Sequence, residues 1–371
     1  MTQTMVDTAE PLLHCDEVIA LAAERAAAAD RSGQLPLEIV DALVTSGVPR
    51  HFVPARYGGN DGTFGELTRA MTDLGQSCAS ASWCGSMFAY TGRLATHLPG
   101  KAQDEIWGGG PDALWASGLV PAGEAEAIDG GYRVSGRWSY VSGAEFADWA
   151  LLAGPRPGPG APAPMFLAVP KGEFTVDRTW DAVGMRATGT HTVVLDRVEV
   201  PAHRTVPLAE VVAGQNTASD RVQHNVPLMA VGGLTCAAPA LGAARSALDA
   251  CVAAVAGKRR GAPGGTLLLD VALTHAAAEV DIAALLLERV TAVLDSGRCR
   301  PHAARNARDS AYVGKLLVSA VNELMKAAGT AAQDQAGALQ RNWRDVSVAA
   351  SHAALRFDKL APLYADSLTK S

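Results

Sequence analysis

The sequence lacks the residue spacings that usually accompany a bound metal ion or nucleotide. Its six cysteines form no C-x-x-C pair and stand in no secretory context, so neither a zinc site nor a disulfide framework is expected. It contains no P-loop, no G-x-G-x-x-G motif after a predicted strand and no internal repeat. We therefore expect no metal site, and no motif for a nicotinamide cofactor is visible.

The chain also lacks an excess of positive charge, and its first residues do not show the pattern of a secretory leader. It carries 32 Lys and Arg residues against 38 Asp and Glu residues, and this net charge of −6 gives no general reason to bind nucleic acid or an anionic membrane. Asp7 and Glu10 precede any apolar run and no basic segment opens the chain, so no signal peptide is expected. The protein is predicted to be cytoplasmic.

One long stretch lacks charge altogether. Residues 226–244 contain no Asp, Glu, Lys or Arg and are nearly long enough to span a lipid bilayer. The stretch includes Pro227, Pro239 and many glycines and alanines, which favour a closely packed bundle helix and its leading segment over a membrane span. No membrane association is therefore expected.

What is present divides the chain into three parts, of which residues 1–112 are predicted to be a helical domain. A helix is expected to open at Pro36 and to end before Gly47, because proline is favoured at the first helical position and glycine just past the last. Helix begins again after Gly59 and is expected to continue through Trp83.

Residues 113–205 change to short β-rich runs between glycines and prolines, which predict a compact, β-barrel-like domain. The Asp-Gly-Gly sequence at residues 129–131 predicts a hairpin turn. Residues 154–164 are so rich in Pro and Gly that a loop is expected there. Strands are expected at residues 149–153, 165–169 and 192–200.

Residues 206–371 return to helix and are predicted to form a bundle. Apolar residues recur at helical spacing in two stripes, a pattern typical of long helices that pack side by side. The first stripe is Ile282, Leu286, Val290, Val293 and Leu294, and the second is Val313, Leu317, Ala320 and Leu324. The order of helices, β domain and helical bundle indicates the α+β class.

Three stretches, in this order and spacing, resemble the acyl-CoA dehydrogenase family. Residues 136–143, Gly-Arg-Trp-Ser-Tyr-Val-Ser-Gly, are similar to the segment that lies along the flavin ring in that family. Residues 183–190, Val-Gly-Met-Arg-Ala-Thr-Gly-Thr, lead into residues 195–201, Leu-Asp-Arg-Val-Glu-Val-Pro, and this is the most specific match. Residues 241–245, Leu-Gly-Ala-Ala-Arg, open the bundle, and residues 339–346, Leu-Gln-Arg-Asn-Trp-Arg-Asp-Val, lie near its end.

The resemblance implies the fold and a cofactor. The fold is an N-terminal helical domain, a central β domain and a C-terminal four-helix bundle. The cofactor is a flavin, whose flat ring the backbone would approach closely at glycines such as Gly143 and Gly184. Flavin sites in this family are completed by neighbouring subunits, which implies a homotetramer.

One departure from the family indicates oxygen chemistry in place of dehydrogenation. Dehydrogenases of this fold carry a Glu-Gly pair after the Arg-Asp segment, and that glutamate takes the proton next to the thioester carbonyl. Here residues 347–355, Ser-Val-Ala-Ala-Ser-His-Ala-Ala-Leu, contain no carboxylate, and the next one is Asp358. The pattern resembles the two-component flavin-dependent monooxygenases of the superfamily, in which Trp-Arg-Asp precedes a His-Ala pair.

Resemblance to this branch implies roles for single residues. His352 would be the catalytic base, because a histidine with a pKa near 6.5 deprotonates a phenol-like substrate near neutral pH; a capping histidine is the alternative. Ser142 would contact the N5 edge of the flavin; a turn serine is the alternative. The cofactor-binding candidates are Trp138, Tyr140, Ser142, Gly143, Arg186, Thr188 and Arg341. The substrate-binding candidates are Trp83, Tyr90 and Thr91.

The implied reaction is hydroxylation of an aromatic or polycyclic small molecule, such as a biosynthetic intermediate, through a C4a-hydroperoxyflavin. A separate reductase would supply reduced FAD or FMN, which reacts with molecular oxygen. Relatives often carry a histidine shortly after the tryptophan that corresponds to Trp83, where this chain has Tyr90 and Thr91, and this leaves the substrate open. An amine N-oxygenase, an acyl-CoA dehydrogenase with another base and a helical scaffold without flavin remain as alternatives.

Overall fold

The computed structural model describes residues 12–157, 163–261 and 267–370, and in it two groups of helices flank a central group of strands. The first helices are α1 (Asp16–Ser32), α2 (Leu37–Thr45), α3 (Phe64–Ser77), α4 (Ala79–Ala95) and α5 (Gly100–Trp107). The strands are β1 (Trp115–Gly118), β2 (Glu124–Ile128), β3 (Gly131–Val141), β4 (Trp149–Arg156), β5 (Ala163–Pro170), β6 (Thr175–Asp177), β7 (His191–Pro201) and β8 (Thr205–Pro207). The last helices are α6 (Leu208–Ala213), α7 (Leu228–Gly261), α8 (Leu267–Asp295), α9 (Ala303–Ala328), α10 (Ala338–Ala350) and α11 (Phe357–Thr369). The predicted order of helices, β domain and helical bundle is confirmed, whereas Asp7 and Glu10 lie outside the described residues.

Local sequence explains where the N-terminal helices begin and end. α2 begins one residue after Pro36, so the predicted start at the proline itself is one residue early. α3 begins with a capping box: the Thr63 hydroxyl accepts from the Glu66 backbone N–H, and the Glu66 carboxylate accepts from the Thr63 backbone N–H. The segment predicted to be helical through Trp83 is helical, but Cys78, with an extended backbone and φ of −151°, divides it into α3 and α4.

The strands of the described chain form two four-stranded sheets, with the orders β1-β4-β5-β8 and β2-β3-β7-β6. The predicted hairpin is confirmed, because Ile128 of β2 pairs with Gly131 of β3 across a two-residue turn. An apolar core lies between the sheets. Trp138 of β3 is buried there, and its indole N–H donates to the Ala153 carbonyl oxygen of β4 at 2.7 Å.

The loop predicted at residues 154–164 is shorter than expected. β4 continues to Arg156 and β5 begins at Ala163, and these two residues are partners in the antiparallel ladder. Pro155 and Pro164 lie opposite each other near the strand ends, where a proline is tolerated because few ladder hydrogen bonds remain to be made. Residues 158–162 of the predicted loop lie outside the described residues.

The bundle confirms one predicted stripe and corrects the other. Val313, Leu317, Ala320 and Leu324 are all buried on α9. Ile282 on α8 is 46% exposed, so its assignment to the buried stripe is wrong. The buried stripe of α8 instead contains Ala276, Val280, Ala283, Leu287, Val290 and Leu294. This buried face packs against α7 and α9.

The helical domain joins the bundle at a close crossing of α3 and α7. A Cβ atom at Gly242 would lie 2.2 Å from the Thr72 carbonyl oxygen, and one at Gly75 would lie 2.8 Å from the Pro239 carbonyl oxygen. The two helices therefore touch backbone to backbone, which only residues without a side chain permit. This contact explains the glycine in the Leu-Gly-Ala-Ala-Arg motif.

α7 contains the uncharged stretch noted above. Residues Leu228–Gly257 are long enough and apolar enough to cross a membrane, with a mean hydropathy of 1.3. In the structure this helix contacts α3, α8, α9 and α10 and is the central helix of the bundle. A core helix can be equally long and apolar, so the place of α7 in the fold agrees with the expectation of a closely packed bundle helix.

Candidate active site

Three of the residues singled out in the sequence meet at one place, although they come from three distant segments. The indole N–H of Trp83 on α4 donates to the Ser142 hydroxyl, which follows β3, at 2.9 Å. The same indole meets the His352 ring edge-on, with ring centroids 5.8 Å apart and an interplanar angle of 76°. Trp83 thus connects the β domain to the segment after α10.

His352 precedes a short 3-10 turn, Ala353–Leu355, and is placed by two contacts. Its Nδ1 accepts from the Ala354 backbone N–H at 3.3 Å, so the histidine caps this turn. The same Nδ1 lies 3.3 Å from the Cys236 thiol of α7. Neighbouring protein atoms lower the pKa of His352 by desolvation, although the residue as a whole is exposed at the surface of the single chain. The imidazole is therefore neutral at neutral pH.

The Cys236 contact bears on which ring nitrogen is free to act. For Nε2 to take up a proton, the hydrogen of the neutral ring must be on Nδ1. In that tautomer the Nδ1 hydrogen points to Cys236 Sγ, a weak acceptor, and Nδ1 no longer accepts from the Ala354 N–H, whose contact fits the other tautomer, with the hydrogen on Nε2. Burial raises the pKa of the Cys236 thiol. Sequence reasoning gave Cys236 no role, because nothing in the chain around it indicates that α7 passes beside the segment after α10.

A row of hydroxyl groups continues from Ser142 into the motif of residues 183–190. Ser142 Oγ lies 2.8 Å from Thr190 Oγ1, which lies 2.7 Å from Thr188 Oγ1, and Thr188 donates to the Met185 carbonyl oxygen at 2.9 Å. Thr188 was a candidate from sequence, but Thr190 was missed. The spacing of two residues between the threonines is the signal that could have indicated Thr190, since such residues share a face in an extended chain.

Tyr140 has a conformation that packing alone does not explain. A bulge in β3 gives it a left-handed backbone with φ of +63°, and its side chain is 76% exposed. A bulky residue in this region is strained by about 1–3 kcal/mol, and such strain is concentrated at functional sites. Its ring meets the edge of Trp180, with centroids 6.5 Å apart. Two residues before Ser142 in the chain, this exposed aromatic ring is a candidate surface for a flat ring such as a flavin.

The structure separates the other aromatic and glycine candidates of the same segment. Trp138 lies in the core between the sheets with its indole N–H satisfied, so we leave it out of the cofactor contacts. Gly143 follows Ser142 and lies against Phe88 of α4. Gly184 was expected to let a flavin approach, but the backbone of Arg344 occupies the space beside it. A Cβ at Gly184 would lie 2.3 Å from the Arg344 carbonyl oxygen.

That contact belongs to a clamp between two motifs of the sequence. The Asp345 carboxylate accepts from the Met185 backbone N–H at 2.5 Å, and burial raises the pKa of Asp345 to about 6. Arg344 pairs with Asp30 of α1 at 2.7 Å and donates to the Val183 carbonyl oxygen. The Trp-Arg-Asp motif therefore holds the threonine-bearing turn in place and does not itself reach Ser142.

The remaining candidates lie around this centre. Arg186 donates to the Asp30 and Ala182 carbonyl oxygens and lines a recess of about 280 Å³. Arg341 lines a smaller recess with Ser80 at the start of α4.

The substrate candidates on α4 are both buried. The Tyr90 ring packs 5.5 Å from Phe52 between ring centroids, and burial raises its pKa. The Thr91 hydroxyl donates to Ser117 Oγ of β1 at 3.1 Å. Trp83 and Tyr90 are seven residues apart, two helical turns, so both are on the same face of α4.

The sequence and the fold of this chain are similar to those of several known proteins. A sequence model described as the acyl-CoA dehydrogenase C-terminal domain matches residues 234–357. The chain is 33% identical to the oxygenase component of an FADH2-dependent resorcinol hydroxylase from Rhizobium sp. (strain MTP-10005), over 85% of this chain and 83% of that protein. Among solved structures, the 3-HSA hydroxylase from Rhodococcus sp. RHA1 is similar with a TM-score of 0.90 and 26% identity, covering 96% of this chain and 95% of that one. XiaF from Streptomyces sp., in complex with FADH2 and glycerol, is similar with a TM-score of 0.87 and 28% identity, covering 96% and 94%.

Proposed function

Because the chain belongs to the family of flavin-dependent monooxygenase oxygenase components that share the acyl-CoA dehydrogenase fold, we propose that it hydroxylates an aromatic or polycyclic small molecule with reduced FAD or FMN and molecular oxygen. The observation that carries the proposal is the meeting of Trp83, Ser142 and His352, with the exposed, strained Tyr140 two residues before Ser142 in the chain. An oxygen-transfer site needs such a place, where a flat cofactor and a base approach the same small molecule.

The residues of this centre divide between cofactor and substrate. Reduced flavin, when bound, supplies the electrons with which oxygen is activated. Tyr140 offers its ring to the flavin face, and Ser142 offers its hydroxyl to the N5 edge, with Gly143 and Thr188 next to it. Arg186 and Arg341 are the candidates for the phosphate end, since guanidinium groups bind phosphate oxygens well.

On the substrate side, His352 acts as the base. Its lowered pKa keeps it neutral, so it can take the proton from a phenolic hydroxyl and increase the electron density of the ring that receives oxygen. Trp83, Tyr90 and Thr91 are buried on α4, and Trp83 contacts the His352 ring, so this helix is the candidate wall of the substrate site. Excluding water there limits the loss of activated oxygen as hydrogen peroxide.

The proposal also includes a partner protein, an oligomeric state and a location in the cell. The two-component names of the relatives support a separate flavin reductase as partner. A homotetramer is supported by an apolar stripe on the outer face of α8, at Leu268, Val271, Ile282 and Leu285, which are all exposed in the single chain. The expected location is the cytoplasm, and a role in biosynthesis would follow from the substrate.

The direct test is turnover with chemically reduced FAD or FMN, labelled oxygen gas and a panel of phenols that begins with resorcinol. We expect a product that gains one labelled oxygen atom on carbon, with hydrogen peroxide as the side product. A nitrogen-oxygenated product from an amine panel would favour the N-oxygenase. A flavin that stays bound in its oxidised form and is bleached by an acyl-CoA thioester without oxygen would contradict the proposal in favour of a dehydrogenase.

Ser142→Ala is expected to weaken the hold on reduced flavin and to raise the fraction of oxygen released as hydrogen peroxide. One hydrogen bond to N5 is lost, about 1 kcal/mol or roughly a fivefold change, and the Trp83 N–H loses its acceptor as well. Peroxide and product are measured in the same assay. Ser367→Ala, on the exposed α11, is the control and should match the wild type. An unchanged peroxide fraction in Ser142→Ala would remove the serine from the site.

A further inference from the structure

The hydroxyl row that ends at Ser142 has a direction. The Trp83 N–H donates to Ser142 Oγ at 2.9 Å, and at the other end the Thr188 hydroxyl donates to the Met185 carbonyl oxygen at 2.9 Å. Thr190 Oγ1 lies between the two, 2.8 Å from Ser142 Oγ and 2.7 Å from Thr188 Oγ1. All three hydroxyl groups are buried, so neighbouring groups and not bulk water decide where each hydrogen points.

A hydroxyl group has one hydrogen to donate, and this orders the row. Because Thr188 gives its hydrogen to a carbonyl oxygen, the hydrogen between the threonines must come from Thr190. The hydrogen between Thr190 and Ser142 must then come from Ser142. Ser142 uses one lone pair to accept from Trp83 and keeps the second, so towards the cofactor position it is an acceptor.

Reversing the row would make Ser142 a donor. Thr188 would then have to donate to Thr190 and give up its hydrogen bond to the Met185 carbonyl oxygen. That oxygen also accepts from the Trp180 indole N–H at 2.9 Å and from the Thr188 backbone N–H at 3.2 Å, and both of these bonds stay in place in either direction. The forward direction therefore contains one hydrogen bond more, and the row favours an acceptor at Ser142.

We propose that the Thr188–Thr190 hydroxyl pair fixes Ser142 as a hydrogen-bond acceptor and so makes the site select reduced over oxidised flavin. The inference rests on the proposed function, which places the N5 edge of the flavin at Ser142. N5 of reduced flavin carries a hydrogen and donates it, whereas N5 of oxidised flavin has a lone pair and accepts. An acceptor serine pairs with the first and opposes the second. Thr190 acts through Ser142 and is a positioning residue.

The test compares equilibrium dissociation constants for oxidised and for reduced FAD, the latter measured without oxygen. Wild-type protein should bind reduced FAD more tightly. Thr190→Val keeps the shape of the side chain but removes the acceptor for the Ser142 hydrogen, which then becomes free to donate to oxidised N5. The dissociation constant for oxidised FAD divided by that for reduced FAD should fall by about fivefold, the size of one hydrogen bond. The reduction potential of bound FAD should become more negative in the same variant.

Two more variants complete the experiment. Thr190→Ser keeps the hydroxyl and should keep the wild-type ratio, whereas Thr188→Val cuts the row one link further away and should lower the ratio too. Thr188→Val also serves as the test if Thr190→Val does not fold. An unchanged ratio in a folded valine variant, or wild-type protein that binds both forms equally, overturns the inference alone. Wild-type protein that binds neither form of FAD or FMN overturns the proposed function as well.

Discussion

His352→Ala should lower the rate of hydroxylation by roughly 10²- to 10⁴-fold, the usual contribution of a general base. Flavin binding and oxygen consumption should change little, because Ser142 and Tyr140 remain in place. Activated oxygen that is not transferred leaves as hydrogen peroxide, so the lost product should reappear as peroxide. Product and peroxide, measured together against oxygen consumed, give the result.

His352→Ala removes both the base and the cap that His352 provides to the turn at Ala353–Leu355, so these two effects must be distinguished. His352→Asn keeps a side chain that can accept from the Ala354 N–H, but it cannot serve as a base at neutral pH. We therefore expect the asparagine variant to be as slow as the alanine variant and more stable. His275→Ala, at an exposed position on α8, is the matched control. An asparagine variant with wild-type coupling would make His352 a cap only.

The pH profile of oxygen transfer follows from the same residue. Only neutral imidazole acts as a base, so the rate should reach its maximum above the pKa of His352 and should fall as the pH drops through that pKa. Desolvation lowers this pKa, so the acidic limb should be centred below the ordinary histidine value of about 6.5. Both His352 variants should lose this limb.

Gly242→Ala should destabilise the fold by about 3 kcal/mol or more. Its added methyl group would lie 2.2 Å from the Thr72 carbonyl oxygen and 2.6 Å from the Gln76 backbone nitrogen, and helix backbone cannot rotate away as a side chain can. α3 and α7 would have to separate, which opens the contact between the helical domain and the bundle. The melting temperature, measured by scanning calorimetry, should drop by roughly 6–12 °C for a unit of the bundle's size.

Gly257→Ala is the matched control, since Gly257 is on the same helix with no atom near enough to obstruct a Cβ among the described residues. There the higher helix propensity of alanine should raise stability by up to about 1 kcal/mol. The two substitutions are chemically identical, so a loss of stability at Gly242 with a gain at Gly257 would show that the helix crossing causes the loss. Equal effects would contradict the crossing as the reason for this glycine.

Residue patterns were sufficient for features whose partners are near in sequence or repeat with a fixed period. The α9 stripe from Val313 to Leu324 is buried as predicted, because a period of 3.6 residues leaves one face for the core. The Asp-Gly-Gly turn forms its hairpin for a similarly local reason. The order of motifs along the chain also predicted the fold and the family, and it singled out Trp83, Ser142 and His352.

Other decisions required the tertiary structure. Trp138 and Tyr140 are two aromatic residues of one strand, and only the bulge of β3 turns the second outward while the first enters the core. Ile282 is more apolar than Ala283, yet Ile282 is exposed and Ala283 is buried, because the rotation of α8 against α7 and α9 turns Ala283 inward.

The site itself divides in the same way. The sequence alone indicated a serine near the flavin and a histidine in the place of the missing glutamate. It did not show that the Thr190 hydroxyl would lie 2.8 Å from that serine hydroxyl or that the Cys236 thiol would lie 3.3 Å from that histidine. These roles depend on distances between segments far apart in the chain, and such distances are set by how helices and sheets pack, which no local pattern encodes.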